Sequence, residues 1–450
     1  MKILYVTLGF PPYQFGGTEQ LSYLLAARMA REKDVSVAVF SGGLPRRFDG
    51  EYKEEEENGI RIRRVKSFSQ RFLEAGTPLV ELDTYKNEVF ENLFERFARE
   101  VAPEIIHFQH TIRLSTSLIP RARNYAKKVV VSLQDFWYVC PRIHLLKPDN
   151  TMCLDPLRGR ACYSCRKKIS LKGVTASLGN RLRKRSEKKL ASRFYFRIKR
   201  ELQKKRRTGN SRKKGLSEFL ARYKYVTEAL NSADHILSPS VFLRDAYRRF
   251  NVVEGAKITA IPLGVAPFGT KEKGDLTRPI RFGYAGSPMR HKGASLLFRA
   301  FSTIDPKETK LIIWGSGWED WPQQGAKSKN VIFKGKYGRE TLGTVFNSFD
   351  ALIIPSLWGE TFSFIAHEAF FAGVPVIASN VGVFPDIISP GRNGLLFEVN
   401  NFNSLRKQID WILDDPERLK AMSAKIGNVK TDKEFADEIF RFYMKILNDG

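Results

Sequence analysis

The chain has 450 residues, 42% hydrophobic and 27% charged, enough to bury real cores and close to the globular average, which excludes wholesale disorder, a collagen-like repeat and a small disulfide scaffold. Its 75 Lys and Arg against 48 Asp and Glu leave a formal charge of +27, a hint of a polyanionic partner. The excess is local: residues 166–224 hold 23 Lys or Arg against Glu187, Glu201 and Glu218, and so carry +20 of it.

The run Lys2 to Thr7 reads as a buried first strand, closed by the breaker-rich loop Gly9 to Gly17. A helical pattern starts at Thr18 and a second strand at Val35 to Phe40, which together make a βαβ unit of a parallel sheet. The opening Ile3 to Phe10 is too short for a signal peptide, and no apolar run approaches the roughly 20 residues of a membrane span. A soluble, cytoplasmic chain is the expectation. Further strands are expected at Ile60 to Val65, Ile105 to Phe108, Val129 to Leu133 and Ile236 to Ser238. The polar, turn-rich stretch with Gly269, Gly274 and Pro279 reads as a linker, after which the rhythm restarts with strands at Ile280 to Tyr284, Lys310 to Trp314, Val331 to Lys334, Ala351 to Ile354 and Val374 to Ala378. Phe435, Ile439, Phe442, Tyr443 and Ile446 fall at helical spacing within a closing helix over Asp432 to Leu447. The expected organisation is α/β: a doubly wound domain over 1–265, a second over 266–430, and a helix in 431–450.

Ligands of open α/β sheets sit beyond the carboxyl ends of the strands, so the loops there are the places to look for chemistry. The densest is Pro355 to Ala369, in which Glu360 precedes a helix expected to hold Thr361, Phe362 and Ser363 in its first turn, with their amides forming an anion site. Glu368 follows two turns later, near the same face. Two acids at that spacing also suit a capping residue and a solvated helical Glu. Gly16 and Gly17, between a strand and a helix, let backbone approach a phosphate or sugar, although an ordinary turn has the same glycines.

Taken in order, the Gly16-Gly17 loop, Ile261 to Val265, Tyr284-Ala285-Gly286 through Lys292-Gly293, Trp314 to Gly317, the Glu360/Glu368 block, Gly382, Pro385 to Ile388 and Asn393 to Leu396 resemble the retaining glycosyltransferases of family 4. The resemblance covers nearly the whole chain outside the basic stretch. It implies the two-domain GT-B fold, a nucleoside-diphosphate sugar as donor, retention of configuration and no catalytic metal. It further implies that Glu368 accepts from the donor ribose, that Glu360 lies beside the sugar ring, that the amides of Thr361, Phe362, Ser363 and Phe364 hold the pyrophosphate, and that Lys292 neutralises the leaving diphosphate. Two positions depart from the family's pattern. Ser287 stands where an Arg is usual, leaving Arg290 or His291 to substitute, and Gln134-Asp135 stands where a His-Asp pair is frequent. Gln134 donates hydrogen bonds but is no base near neutral pH, which suits front-side attack and disfavours a mechanism needing a catalytic His. His110 joins Gln134 and Asp135 as an acceptor-side candidate, whereas His107, within its strand, reads as core.

All four cysteines, Cys140, Cys153, Cys162 and Cys165, fall within 26 residues and end in a Cys-x-x-Cys pair. The pattern suits a four-thiolate structural zinc, with an iron-sulfur cluster, disulfides or unliganded thiols as alternatives. Asp135-Phe136-Trp137-Tyr138-Val139-Cys140-Pro141 is similar to a stretch in a subset of the family, which places the cysteines on the acceptor side. The basic insert 166–224 has three readings: a solvated linker, attachment to an anionic membrane surface, and nucleic-acid binding, the last with no recognised nucleic-acid fold beside it. With a glycan or polyprenyl-linked acceptor, the membrane reading leads and puts the protein at the inner face of the cell membrane. The competing reading of the whole is a catalytically weak scaffold or nucleic-acid-binding protein on the same fold.

Overall fold

A computed structural model describes the chain except for residues 13–15, 45–49, 67–83, 113, 166–208, 254–256, 271–274, 319–328 and 450. It divides into two compact units, residues 1–236 with 247–258, and 237–246 with 259–450.

The first unit is built on an eight-stranded sheet of β1 (Lys2–Thr7), β2 (Ser36–Leu44), β3 (Tyr52–Glu57), β4 (Ile60–Lys66), β5 (Ile105–Phe108), β6 (Lys128–Ser132), β7 (His235–Ser238) and β8 (Ile258–Ala260). Their order is β3-β4-β2-β1-β5-β6-β7-β8, and the division between units runs through the last two strands. Ile3, Leu4, Tyr5 and Val6 are all fully buried, as expected of a strand covered on both faces, and β1 pairs in parallel with β2 and β5. The helix Glu88–Val101 begins at Asn87, whose side chain accepts from the Val89 and Phe90 amides, and it packs Phe94 edge-on to Phe40. β3 was not expected from the sequence. Its Tyr-Lys-Glu-Glu-Glu-Glu run looks like a solvated charge cluster, but it forms an antiparallel edge strand in which Glu54 lies opposite Arg63 and Glu56 opposite Arg61.

The second unit holds a six-stranded sheet of β9 (Ile280–Ala285), β10 (Thr309–Trp314), β11 (Val331–Gly335), β12 (Ala351–Ile354), β13 (Val376–Ser379) and β14 (Gly394–Phe397), ordered β11-β10-β9-β12-β13-β14 with every neighbouring pair parallel. Side chains alternate between two cores: Leu311, Ile313, Ile353 and Ile377 face one layer, and Ile312, Leu352, Ile354 and Val376 face the other. The closing helix Asp432–Asn448 starts on a reciprocal Thr431–Glu434 capping box and buries Phe435, Ile439, Tyr443 and Ile446.

The run of parallel strands reverses its order between β1 and β5 in the first sheet and between β9 and β12 in the second. Such switch points open a crevice at the carboxyl ends of the strands. No described helix is long and apolar enough to cross a membrane. Residues 166–208, most of the basic insert, lie outside the described residues, and the rest of it opens the helix Gly209–Asn231.

Candidate functional site

Three loops at the carboxyl ends of β9, β12 and β13 meet in the second unit. The loop after β9 ends in a 3-10 turn, Arg290–Lys292, followed by Gly293 at φ 70°. A Cβ on Gly293 would overlap the Pro355 carbonyl oxygen, so only glycine permits this approach, and the Leu357 amide donates to the His291 carbonyl at 2.8 Å. The loop after β13 presses in the same way, with Gly382 at φ 67° against the backbone of Glu360 and the Val383 amide donating to the Glu360 carbonyl at 2.9 Å.

These approaches set Lys292 beside Glu360. Glu360 is only 6% exposed, and its Oε1 accepts from Lys292 Nζ at 2.7 Å, Ser356 Oγ at 2.8 Å and Trp358 Nε1 at 3.1 Å. The Lys292 ammonium also lies 5.8 Å from the centre of the Trp358 ring. Burial opposes the charge on Glu360, but Lys292 and the two neutral donors together hold its carboxyl below the usual carboxylate range. Glu368 is the contrast: burial pushes it up to about 7, against a weaker pull from Arg339. The Tyr337 phenol is raised by burial and by the nearby Glu368. Ser356, Trp358, Tyr337 and Arg339 were not foreseen. Only the nearness of Ser356 and Trp358 to Glu360 in the chain signalled any of them.

The helix carrying Glu368 spans Phe364–Phe371 and starts later than the sequence suggested. Thr361, Phe362 and Ser363 therefore precede it as a buried turn, and Glu360 does not share a helical face with Glu368. The stop is Ser363, the N-cap, in the left-handed region at φ 64° and ψ 78° with no hydrogen bond from its hydroxyl to the helix. That hydroxyl is buried and has no partner among the described residues. The Ser363 carbonyl accepts the Ala366 and His367 amides, and the His367 ring stacks on Phe362 with centroids 4.0 Å apart. Ser287 receives the Tyr284 hydroxyl on its carbonyl at 3.0 Å, and Arg290 lies exposed on the turn that holds Lys292.

In the first unit, Gly16 caps the helix Gly17–Glu32 with extended backbone, and Glu19 folds back against it. After β5 and β6, His110 and Asp135 come together. The Ile112 amide donates to His110 Nδ1 at 3.0 Å, so Nε2 carries the proton and donates to Asp135 Oδ2 at 3.1 Å, while Asp135 Oδ1 accepts the Trp137 amide at 2.7 Å. Both ring nitrogens are thus committed within the protein. Gln134 is half-buried beside Asp135. His107 is 1% exposed and bonds Ser132 Oγ at 2.8 Å, a core histidine that burial pushes down to about 3.

The four cysteines are free thiols around one cavity of about 510 Å3. Among the described residues, no three His, Cys, Asp or Glu side chains are gathered closely enough to hold a metal.

Two α/β units with parallel sheets define the GT-B class of glycosyltransferase folds. The structure aligns with sucrose-phosphate synthase from Thermosynechococcus elongatus over 100% of both chains, at a TM-score of 0.65 and 16% identity. It also aligns with Anabaena HepE in complex with UDP, over 99% of this chain and 100% of that one, at 0.61 and 13%. Residues 270–428, which include Lys292 and Glu360, match the family model of glycosyl transferases group 1. By sequence the chain is 34% identical over 138 residues to an uncharacterized glycosyltransferase of Methanocaldococcus jannaschii, a match covering 29% of this chain and 35% of that protein. It is 31% identical over 168 residues to a GDP-mannose-dependent alpha-mannosyltransferase of Corynebacterium glutamicum, covering 37% and 40%. The chain thus spans between about a third and two fifths of the length of these relatives.

Proposed function

We propose that the chain is a retaining glycosyltransferase that moves a sugar from a nucleoside-diphosphate sugar to a glycan or lipid-linked acceptor, working from the cytoplasm at the inner face of the cell membrane. The observation that carries this reading is the Lys292–Glu360 ion pair at the β9/β12 switch point, inside the segment that matches the family model. A cation held by a buried carboxylate at the ends of parallel strands is suited to receive a departing diphosphate. The relative named for GDP-mannose and the UDP complex of the Anabaena protein support a nucleotide-sugar donor.

In this mechanism the pyrophosphate rests on the turn Thr361 to Phe364, Glu368 accepts from the ribose, and Glu360 lies beside the sugar. The bond from the anomeric carbon to the phosphate oxygen breaks, the acceptor oxygen bonds to the same face, and its proton passes to the leaving phosphate oxygen. No side-chain base is needed, which agrees with Gln134 after β6 and with His110 having both nitrogens engaged. The decisive experiment is a thermal-shift screen of nucleoside diphosphates and their sugars, in which a ligand at 100 times its dissociation constant stabilises by about 2.7 kcal/mol. Transfer or hydrolysis of the donor that binds, with the product anomer read by NMR, is expected to show retention. Lys292→Ala is expected to lower turnover by about 100-fold or more with the fold intact. No shift from any nucleoside diphosphate would sink the donor site, and an inverted product would remove retention alone.

A further inference from the structure

The loop between β6 and the basic insert has a chemistry that the transferase reading leaves unused. It folds as a small hairpin in which Leu146 bridges Met152 and the Cys153 amide donates to the Leu145 carbonyl at 2.6 Å, bringing Cys153 back toward Cys140. A helical turn then presents Cys162 and Cys165, and all four thiols line one cavity. Two sulfurs already receive backbone donors: the amides of Arg142 and Leu145 point at Cys140, and that of Asp155 at Cys153. Ile143, Leu145, Leu157 and Arg158 hold left-handed backbone to make these turns, at φ 73°, 51°, 47° and 49°.

A second, independent observation is a buried cation. Arg222, from the helix Gly209–Asn231, is 1% exposed, lies 4.3 Å from the centre of the Trp137 ring and donates Nη2 to the Trp137 carbonyl at 2.7 Å. Its Nε has no partner among the described residues, and no described carboxylate pairs with it. The groups near it are the Cys140 and Cys162 sulfurs and the Tyr85 and Tyr247 hydroxyls. Arg142 Nη1 lies 3.6 Å from Cys165 Sγ. A buried guanidinium without a counter-charge is costly unless something nearby becomes anionic. Four thiolates around one divalent ion leave two negative charges, and two arginines cancel them.

We propose that Cys140, Cys153, Cys162 and Cys165 form a tetrahedral structural zinc centre whose charge is balanced by Arg222 and Arg142. The sulfurs surround the cavity without converging, so the ion draws the loop inward as it binds. Because Cys165 directly precedes Arg166, the metal fixes the point at which the basic insert leaves the first unit. The proposal does not depend on the donor reading.

The test is metal analysis of the full-length protein purified without chelator, alongside thiol titration under native conditions. The expected result is one zinc per chain, four thiols protected until a mercurial releases the metal to an indicator, and tetrahedral tetrathiolate absorption after cobalt exchange. Cys140→Ser and Cys165→Ser are each expected to lose the zinc. Arg222→Met is expected to weaken zinc in chelator competition by tenfold or more. Should the serine variants fail to fold, removal and return of zinc on the wild type, followed by thiol protection, decides the matter. Four immediately reactive thiols with no zinc, iron with inorganic sulfide, a disulfide, or full zinc retained in both serine variants would each overturn the proposal.

Discussion

Glu360 and Glu368, eight positions apart, shift in opposite directions because their partners differ. Glu360 has Lys292, Ser356 and Trp358 on one oxygen, whereas Glu368 faces burial with only a weak pull from Arg339. A carboxyl whose folded pKa lies above its ordinary 4.5 contributes stability that is fully present below 4.5 and is lost as pH rises through about 7. Glu368→Gln removes that penalty, so the variant's melting temperature is expected to gain on the wild type as pH rises through 7. Its affinity for the nucleoside diphosphate is expected to fall, because the ionised carboxylate is the better acceptor for ribose hydroxyls. Melting curves at a series of pH values would check the first effect, and titration with the diphosphate the second. Parallel pH profiles for the two proteins would defeat the argument. The sequence exposed these two acids through their spacing and company, but it could not expose their states. Those depend on Tyr337, Arg339 and the indole of Trp358, which only the folded loops bring near.

At the scale of elements, the parallel strands were readable because both faces are covered, which turns each strand into an unbroken apolar run such as Ala351 to Ile354. The edge strand Tyr52–Glu57 was not, since a run of four acids reads as a solvated cluster until the hairpin at Asn58-Gly59 sets Glu54 opposite Arg63 and Glu56 opposite Arg61. The late start of the helix Phe364–Phe371 was hidden for another reason: the sequence carries no proline or glycine there, and the break is made by a serine in left-handed backbone. Gly293 and Gly382 hold the loops of the site together, and their effect should be measurable. Gly293→Ala must both adopt positive φ, at about 1–2 kcal/mol, and displace the Pro355 backbone. Denaturant unfolding is expected to show a loss of at least about 2 kcal/mol, with turnover falling further than stability because Lys292 is the adjacent residue. An alanine variant as stable and as active as the parent would mean that the close approach of these loops is not required.

At the scale of the molecule, +20 of the charge of +27 lies in residues 166–224 and +7 in the other 391, so the insert is where an anionic partner is expected to act. Residues 181–207 alone hold 14 Lys or Arg against two acids. Near anionic headgroups each such cation contributes about 1 kcal/mol, which makes even partial engagement sufficient for surface attachment. Deleting 181–207 stops short of the helix Gly209–Asn231 and therefore leaves Arg222 and its neighbours in place. Co-sedimentation with vesicles rich in anionic lipid is expected to retain the wild type at low salt, to release it as ionic strength rises, and to leave the deletion in the supernatant. Turnover on a soluble acceptor analogue should be nearly equal for the two proteins, because the Lys292–Glu360 pair lies in the other unit, while turnover on a lipid-linked acceptor in vesicles should fall with the loss of attachment. Binding by both proteins alike, insensitive to salt, would assign membrane attachment to another surface and leave the insert as a solvated linker.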